Sequence, residues 1–429
     1  MNLEGEECKN IFKECLPVCC NLKEIHLNFC QLSPEVGEYI GIFIGHQTQL
    51  SILNLSNTNL EDDIGRCMFE NITPSCCGVR ELNMKGCKFC PKMSGYLCKF
   101  IGYQTQLVTL NLEDTNLKGD IGRNLFQNTS PLCCNIEKLY LIYCKFSPEM
   151  SEHLGKFIGN QKYLKVINFK GTDLKGDIGN NIFRDTIPLS YNLRSIDLSH
   201  CEFSSEMSEN LGKFIGRQIQ LTRLKFFLSN LKSDIGMNIF RNISKSCCNL
   251  EYLSLSSCYL SLRMSKYLGE FIGRQTKLKT LLLDETNIKD DIGKNIFQNT
   301  PSSFCNLNEL HLNGCNLTAD MSGCLGSFIG NQTQLEILLL IGIDLRNDIG
   351  KNLFQSISSS CNNLKKLILN YCLFSQDMSQ HLAVFIQRQK RLNTFEFFQT
   401  NLKGDIGKDI IQSIPPSCRN LGGYSNLFV

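Results

Sequence analysis

The sequence predicts an α/β solenoid, with a parallel sheet on the inner, concave side and helices on the outer, convex side. Three observations predict it. The chain repeats with a fixed period, each period divides into two similar halves, and each half joins an alternating apolar segment to one with helical spacing. Cys30, Cys87, Cys144, Cys201, Cys258, Cys315 and Cys372 follow one another at a constant step. Phe12, Phe69, Phe126, Phe183, Phe240, Phe297 and Phe354 keep the same step, as do Gly45, Gly102, Gly159, Gly216, Gly273 and Gly330. A register held without insertion along the chain is the mark of stacked copies of one supersecondary unit.

The first half of each period reads L-x-x-L-x-L-x-x-C-x-L, as in Leu22, Ile25, Leu27, Cys30 and Leu32. The second reads L-x-x-L-x-L-x-x-T-x-L, as in Leu50, Leu53, Leu55, Thr58 and Leu60. The first half runs from Leu22 to Leu50, and the second, from Leu50 to Val79, is longer by a single position. Residues 22–420 thus hold fourteen repeats, seven of each type, with a partial repeat in 1–21 and a truncated one in 421–429. The whole of 1–429 reads as a single repeat domain.

The L-x-L core alternates with the period of a strand. After Cys144, the residues Met150, Leu154, Phe157 and Ile158 share one helix face. Ser147-Pro148-Glu149 predicts an N-cap followed by proline at the first helical position. Gly159 predicts a left-handed C-terminal cap. The second half shows the same pattern more briefly in Ile121, Leu125 and Phe126. Parallel strands need a crossover of about a dozen residues, usually helical, which fits one strand and one helix per repeat. One repeat cannot bury its apolar face, whereas a stack buries a continuous core. Helices are wider than the strand spacing of about 4.8 Å, so the stack is expected to curve towards the sheet.

The alternation of a shorter and a longer half, 28/29, with cysteine in one of them, resembles the ribonuclease-inhibitor-like class of leucine-rich repeats. That class includes ribonuclease inhibitor, the sensor regions of NACHT-containing NOD-like receptors, Ran GTPase-activating proteins and some F-box substrate adapters. The resemblance implies a horseshoe that recognises protein partners through its concave sheet. The chain departs from many members in carrying Thr58, Thr115, Thr172, Thr286 and Thr400 where they carry asparagine, with Ser229 and Ile343 breaking even that pattern.

Composition narrows the function. With 44 Lys+Arg against 41 Asp+Glu, net +3, there is no basic field to attract nucleic acid or an anionic membrane. No apolar run approaches the roughly 18–20 residues of a membrane span. Met1–Cys20 contains Glu4, Glu6, Glu7 and Glu14 and lacks the basic start and apolar core of a secretory signal, so a cytoplasmic location is expected. The repeat register begins and ends in mid-unit, which favours the repeat region of a larger receptor.

The 24 cysteines read as packing. Those recurring once per period stand two strands, roughly 9.6 Å, apart, whereas a disulfide needs Cα atoms within about 7 Å. A second series, Cys19-Cys20, Cys76-Cys77, Cys133-Cys134 and Cys247-Cys248, is matched elsewhere by Ser190-Tyr191, Phe304-Cys305, Cys361-Asn362 and Cys418-Arg419, which is no ligand framework. His26 and His311 share a repeat position but lie five periods apart, and read as solvated strand residues. Asp62-Asp63 and Asp290-Asp291 recur where second-half helices begin and complement their N-termini. No phosphate loop and no nucleophile–base pair assembles, so neither catalysis nor a cofactor or metal is expected.

Residues between the strand leucines point away from the core. Near the N-terminus they are polar: Glu24, His26, Asn28, Asn54, Ser56, Glu81, Asn83 and Lys85. Later they become apolar or aromatic: Tyr140, Ile142, Phe227, Tyr252, Leu282, Ile337, Leu339, Ile341, Ile368 and Phe398, with Tyr371 beside a strand. Apolar clusters rimmed by polar residues mark interaction surfaces. These positions are the expected site for a protein partner, with no small-molecule ligand expected. The reading is a protein-binding, ligand-sensing module resembling that of NOD-like innate immune receptors. The alternatives are a free-standing inhibitor or adapter resembling ribonuclease inhibitor or F-box proteins, and a GTPase activator resembling Ran GTPase-activating protein.

Overall fold

The computed structural model describes residues 2–3, 5–15, 19–127, 135–185, 192–301, 303–304, 306–401 and 404–414. Cys133-Cys134, Ser190-Tyr191, Cys305, Cys418-Arg419 and the truncated repeat 421–429 lie outside the described residues. The chain divides into two compact units, Met1–Leu221 and Thr222–Val429.

Among the described residues, the main sheet of the first unit carries seven parallel strands in chain order: Glu24–His26, Ile52–Asn54, Glu81–Asn83, Thr109–Asn111, Lys138–Tyr140, Val166–Asn168 and Ser195–Asp197. The second carries seven more: Arg223–Lys225, Tyr252–Ser254, Thr280–Leu282, Glu309–His311, Ile337–Leu339, Lys366–Ile368 and Thr394–Glu396. Each strand has a buried centre, from Ile25 and Leu53 through Leu338 and Phe395, and flanking residues that mostly reach solvent. The L-x-L alternation is thereby realised, one strand to each repeat. Helices of twelve or thirteen residues follow the cysteine half, such as Pro148–Gly159 and Ala319–Gly330. Helices of eight to ten residues follow the threonine half, such as Asp120–Gln127 and Asp290–Gln298. This is a leucine-rich-repeat solenoid.

Between sheet and helices the apolar residues form regular files. Phe126 meets Phe157 at 5.1 Å and Phe297 meets Phe328 at 5.1 Å, each pair joining a short helix to the long helix of the next repeat. The cysteines belong to this core. Cys87, Cys144, Cys258 and Cys372 donate their thiols to the carbonyls of Leu55, Leu112, Phe226 and Leu340, at 2.9, 2.9, 2.8 and 2.8 Å. Burial pushes the Cys87, Cys144 and Cys258 thiols up to about 12, so they stay protonated and remain donors. Thr115 donates to the same Leu112 carbonyl at 2.6 Å. Cysteine and threonine thus converge where the chain leaves the strand, which is why the two halves carry them in alternation.

A third file keeps the same period, although the sequence reading did not single it out. Gln104 and Gln275 are buried behind the strands. Gln275 donates to the carbonyls of Cys247 and Phe271 at 2.9 and 3.2 Å and accepts the Leu250 N–H at 3.2 Å. Gln104 does the same with Cys76, Phe100 and Val79. One amide thereby satisfies three backbone groups that no strand or helix can pair.

The C-terminal cap expectation is corrected, and the N-terminal one is refined. Gly159 and its equivalents are not left-handed: His46, Asn160 and Asn331 close their helices in the right-handed region, and none of these glycines has positive φ. Glycine is needed there for close approach, since a Cβ on Gly330 would fall 2.5 Å from the Ser358 nitrogen. Ser147 stands at the N-cap with Pro148 at the helix start, as expected, but its hydroxyl accepts no bond from its own helix. It accepts the N–H of Gly119, one repeat back, at 2.9 Å, and Ser375 accepts from Asn347 at 2.8 Å in the same way. The cap position stitches neighbouring repeats because Gly119 and Asn347 turn left-handed and present their N–H to it.

Candidate functional site

The helix-free face of each sheet consists of rows running from strand to strand, set by the parallel register. In the first unit the row through the last strand residues reads His26, Asn54, Asn83, Asn111, Tyr140, Asn168 and Asp197. The N–H two residues beyond falls outside the strand ladder and needs an acceptor. The asparagine itself provides it: Asn54 accepts from Ser56 at 3.1 Å, Asn111 from Glu113 at 2.9 Å and Asn168 from Lys170 at 2.9 Å. Lys85 and Glu113 pair across this face at 2.8 Å.

The aromatic and apolar residues expected here sit among polar neighbours. Tyr140 lies between Asn111 and Asn168 and is half-buried, as is Ile142. Tyr143 is exposed, and its ring lies over Gly171, where a Cβ would come within 2.1 Å of ring carbons. Ser56, expected on the surface, is buried. Phe29, not singled out in the sequence, is exposed at a left-handed position.

In the second unit the same row reads Lys225, Ser254, Leu282, His311, Leu339, Ile368 and Glu396. Leu282 and Leu339 flank His311 directly, with Ile337 on the strand of Leu339 and Ile341 in the turn just beyond it, all half-buried. Register therefore gathers Leu282, Ile337, Leu339 and Ile341 into one strip. Tyr252 is set apart beside Arg223, whose guanidinium lies 4.3 Å from its ring centre. Phe227 is 37% exposed, next to the exposed Leu228, which sequence reasoning missed. Phe398 and Tyr371, 55% and 53% exposed, pack edge-on at 5.9 Å. Ile368 is a correction: it is only 5% exposed, with Leu339 and Glu396 as its register neighbours on either side.

Where the row holds leucine, histidine or glutamate in place of asparagine, the N–H two residues on needs another acceptor. The preceding repeat supplies it. Asp284 accepts from Asn313 at 2.9 Å, Asn313 from Ile341 at 2.9 Å and Asn370 from Phe398 at 2.6 Å. The apolar strip is accompanied by a rewired polar edge. His311 differs from the exposed His26: it is half-buried, 2.7 Å from Glu309 and 3.8 Å from Asp284.

Comparison with known proteins agrees with this geometry. A family model described as Leucine Rich Repeat matches residues 192–214. NACHT, LRR and PYD domains-containing protein 9 of Bos taurus is 24% identical over 385 residues, which cover 86% of this chain and 38% of that protein. Ribonuclease inhibitor of Sus scrofa is 23% identical over 397 residues, covering 92% of this chain and 86% of the inhibitor. The chain thus spans well under half of the first relative and most of the second. Among solved structures, a leucine-rich-repeat protein of Leptospira interrogans aligns with a TM-score of 0.50 at 16% identity, covering 91% of this chain and 92% of that one, a likeness of fold. The chain thus folds as a leucine-rich-repeat solenoid and is similar over most of its length to ribonuclease inhibitor and to part of a NACHT, LRR and PYD domains-containing protein.

Proposed function

We propose that this chain is a protein-recognition module that acts in the cytoplasm as the ligand-sensing region of a NOD-like innate immune receptor. The partner docks on the helix-free, concave face, chiefly on the second unit. One observation carries the reading: register sets Leu282 and Leu339 on either side of His311, with Ile337 and Ile341 beside Leu339, on a face whose equivalent row in the first unit holds Asn54, Asn83, Asn111 and Asn168. Apolar surface left half-open in this way gains about 25 cal/mol per Å² when a partner covers it. The rewired N–H acceptors support the reading, because a merely drifting repeat would leave those groups unpaired. The test places a photo-crosslinking residue at Ile341 of the full chain in cells, with Lys213 on a helix as control. A protein crosslinked from Ile341, absent from Lys213 and lost from Phe227→Ser/Leu339→Ser/Phe398→Ser with unchanged circular dichroism, is the expected result. The same proteins captured from both positions would sink the proposal.

A free-standing inhibitor is the second reading, favoured by the match over 86% of ribonuclease inhibitor. Ribonuclease activity that is unaffected by micromolar protein would dispose of it.

A further inference from the structure

We infer that the partner segment covering this strip carries an arginine or lysine among its apolar side chains, set to meet the carboxylates of Asp284 and Glu309. The inference rests on the proposed docking face and adds the chemistry of what docks there. His311 lies between Leu282 and Leu339 in the register, so a partner that covers both leucines also covers His311 and the two carboxylates beside it. Glu285, next in the chain, has a left-handed backbone and accepts from Ser257 at 3.0 Å. Elsewhere on the second unit, carboxylates are matched by lysines of the next strand, as in Glu251–Lys279 at 3.6 Å and Glu336–Lys365 at 2.8 Å. Among the described residues, Asp284, Glu285 and Glu309 form no ion pair with lysine or arginine; the imidazole of His311 lies beside Asp284 and Glu309.

Covering Asp284 and Glu309 with an apolar partner would remove their water and offer them no lysine or arginine in exchange. Buried charge without a partner is strongly unfavourable, so an uncharged apolar segment is selected against. A segment that brings its own cation satisfies both parts of the surface. Arginine suits it better than lysine, since its planar fork can meet two carboxylates at once.

The test selects short random peptides on the immobilised full chain, resynthesises the enriched ones and titrates them against variants. Enriched peptides are expected to carry Arg or Lys close to Leu, Ile or Phe. Their binding should weaken about tenfold in Glu309→Gln, with Asp284→Asn as a second variant that retains the Asn313 acceptor, as befits a partly desolvated charge pair. Replacing the peptide's Arg by Gln should erase the difference between wild type and variant. Peptides that depend on Leu339 but lack a cation, or bind Glu309→Gln equally well, overturn this inference and leave the docking face standing. Peptides that bind Leu339→Ser/Ile341→Ser as tightly as wild type overturn the docking face itself.

Discussion

Asn313 accepts the backbone N–H of Ile341, one strand on, at 2.9 Å. In the first unit the equivalent bond stays within one strand, from Lys85 to Asn83 or from Glu113 to Asn111. The bond takes up the N–H that an asparagine at 339 would accept, and Ser256 takes up the Asp284 N–H beyond Leu282 at 3.2 Å in the same way.

Asn313→Ala should therefore leave the Ile341 N–H without its acceptor and cost about 1–2 kcal/mol in urea unfolding. Asn313→Asp retains an acceptor and should lose much less. Equal losses in the two variants would show that the bond does not hold this edge.

The glutamine file should be costlier to disturb. Gln275→Leu keeps the volume but strips the Leu250 N–H and the Cys247 and Phe271 carbonyls of their partner. A loss of about 3 kcal/mol or more is expected in chemical denaturation, since each buried group left unpaired costs about 1–3 kcal/mol. A midpoint close to that of wild type would contradict the assignment.

Gly179→Ala tests the packing of repeat on repeat. A Cβ there would lie 2.2 Å from the Leu174 carbonyl oxygen and 2.6 Å from the Met207 methyl. Methionine can yield but backbone cannot, so about 1–3 kcal/mol of destabilisation is expected. Gly95→Ala meets nothing within 4 Å and is the matched control in a helix. Thermal melts of the two should separate clearly.

The buried thiols predict an alkaline limit to stability. Burial pushes Cys144, Cys201 and Cys315 from 9.0 up to about 12. Because the folded pKa lies above the unfolded one, the unfolded chain gives up these protons first as pH rises. The contribution is complete below about pH 9 and declines between about pH 9 and 12, each thiol steepening the fall by about 1.4 kcal/mol per pH unit. Cys201→Ala should start lower at neutral pH, through its cavity, yet fall less steeply as the pH is raised through that window. Parallel curves for wild type and variant would rule out a protonated native thiol.

The sequence by itself determined the repeat: its period, its two alternating halves, one strand and one helix to each, and the cysteines as packing. These were legible because the buried positions recur at fixed spacing, and stacking imposes the same environment on every copy. Tyr140, Leu339 and Phe398 were legible as outward-facing for the same reason, since alternation assigns faces without knowledge of neighbours. Only the tertiary structure decided which outward residues meet. Leu282 and Leu339 are a full period apart in sequence yet flank one histidine, whereas Tyr140 stands between asparagines, and this depends on parallel register rather than on sequence distance. Ile368 faces outward by alternation yet is buried, because exposure depends on neighbouring strands and not on alternation alone. The helix-end glycines were misread because their requirement is set by the neighbouring repeat, a contact that local spacing does not encode.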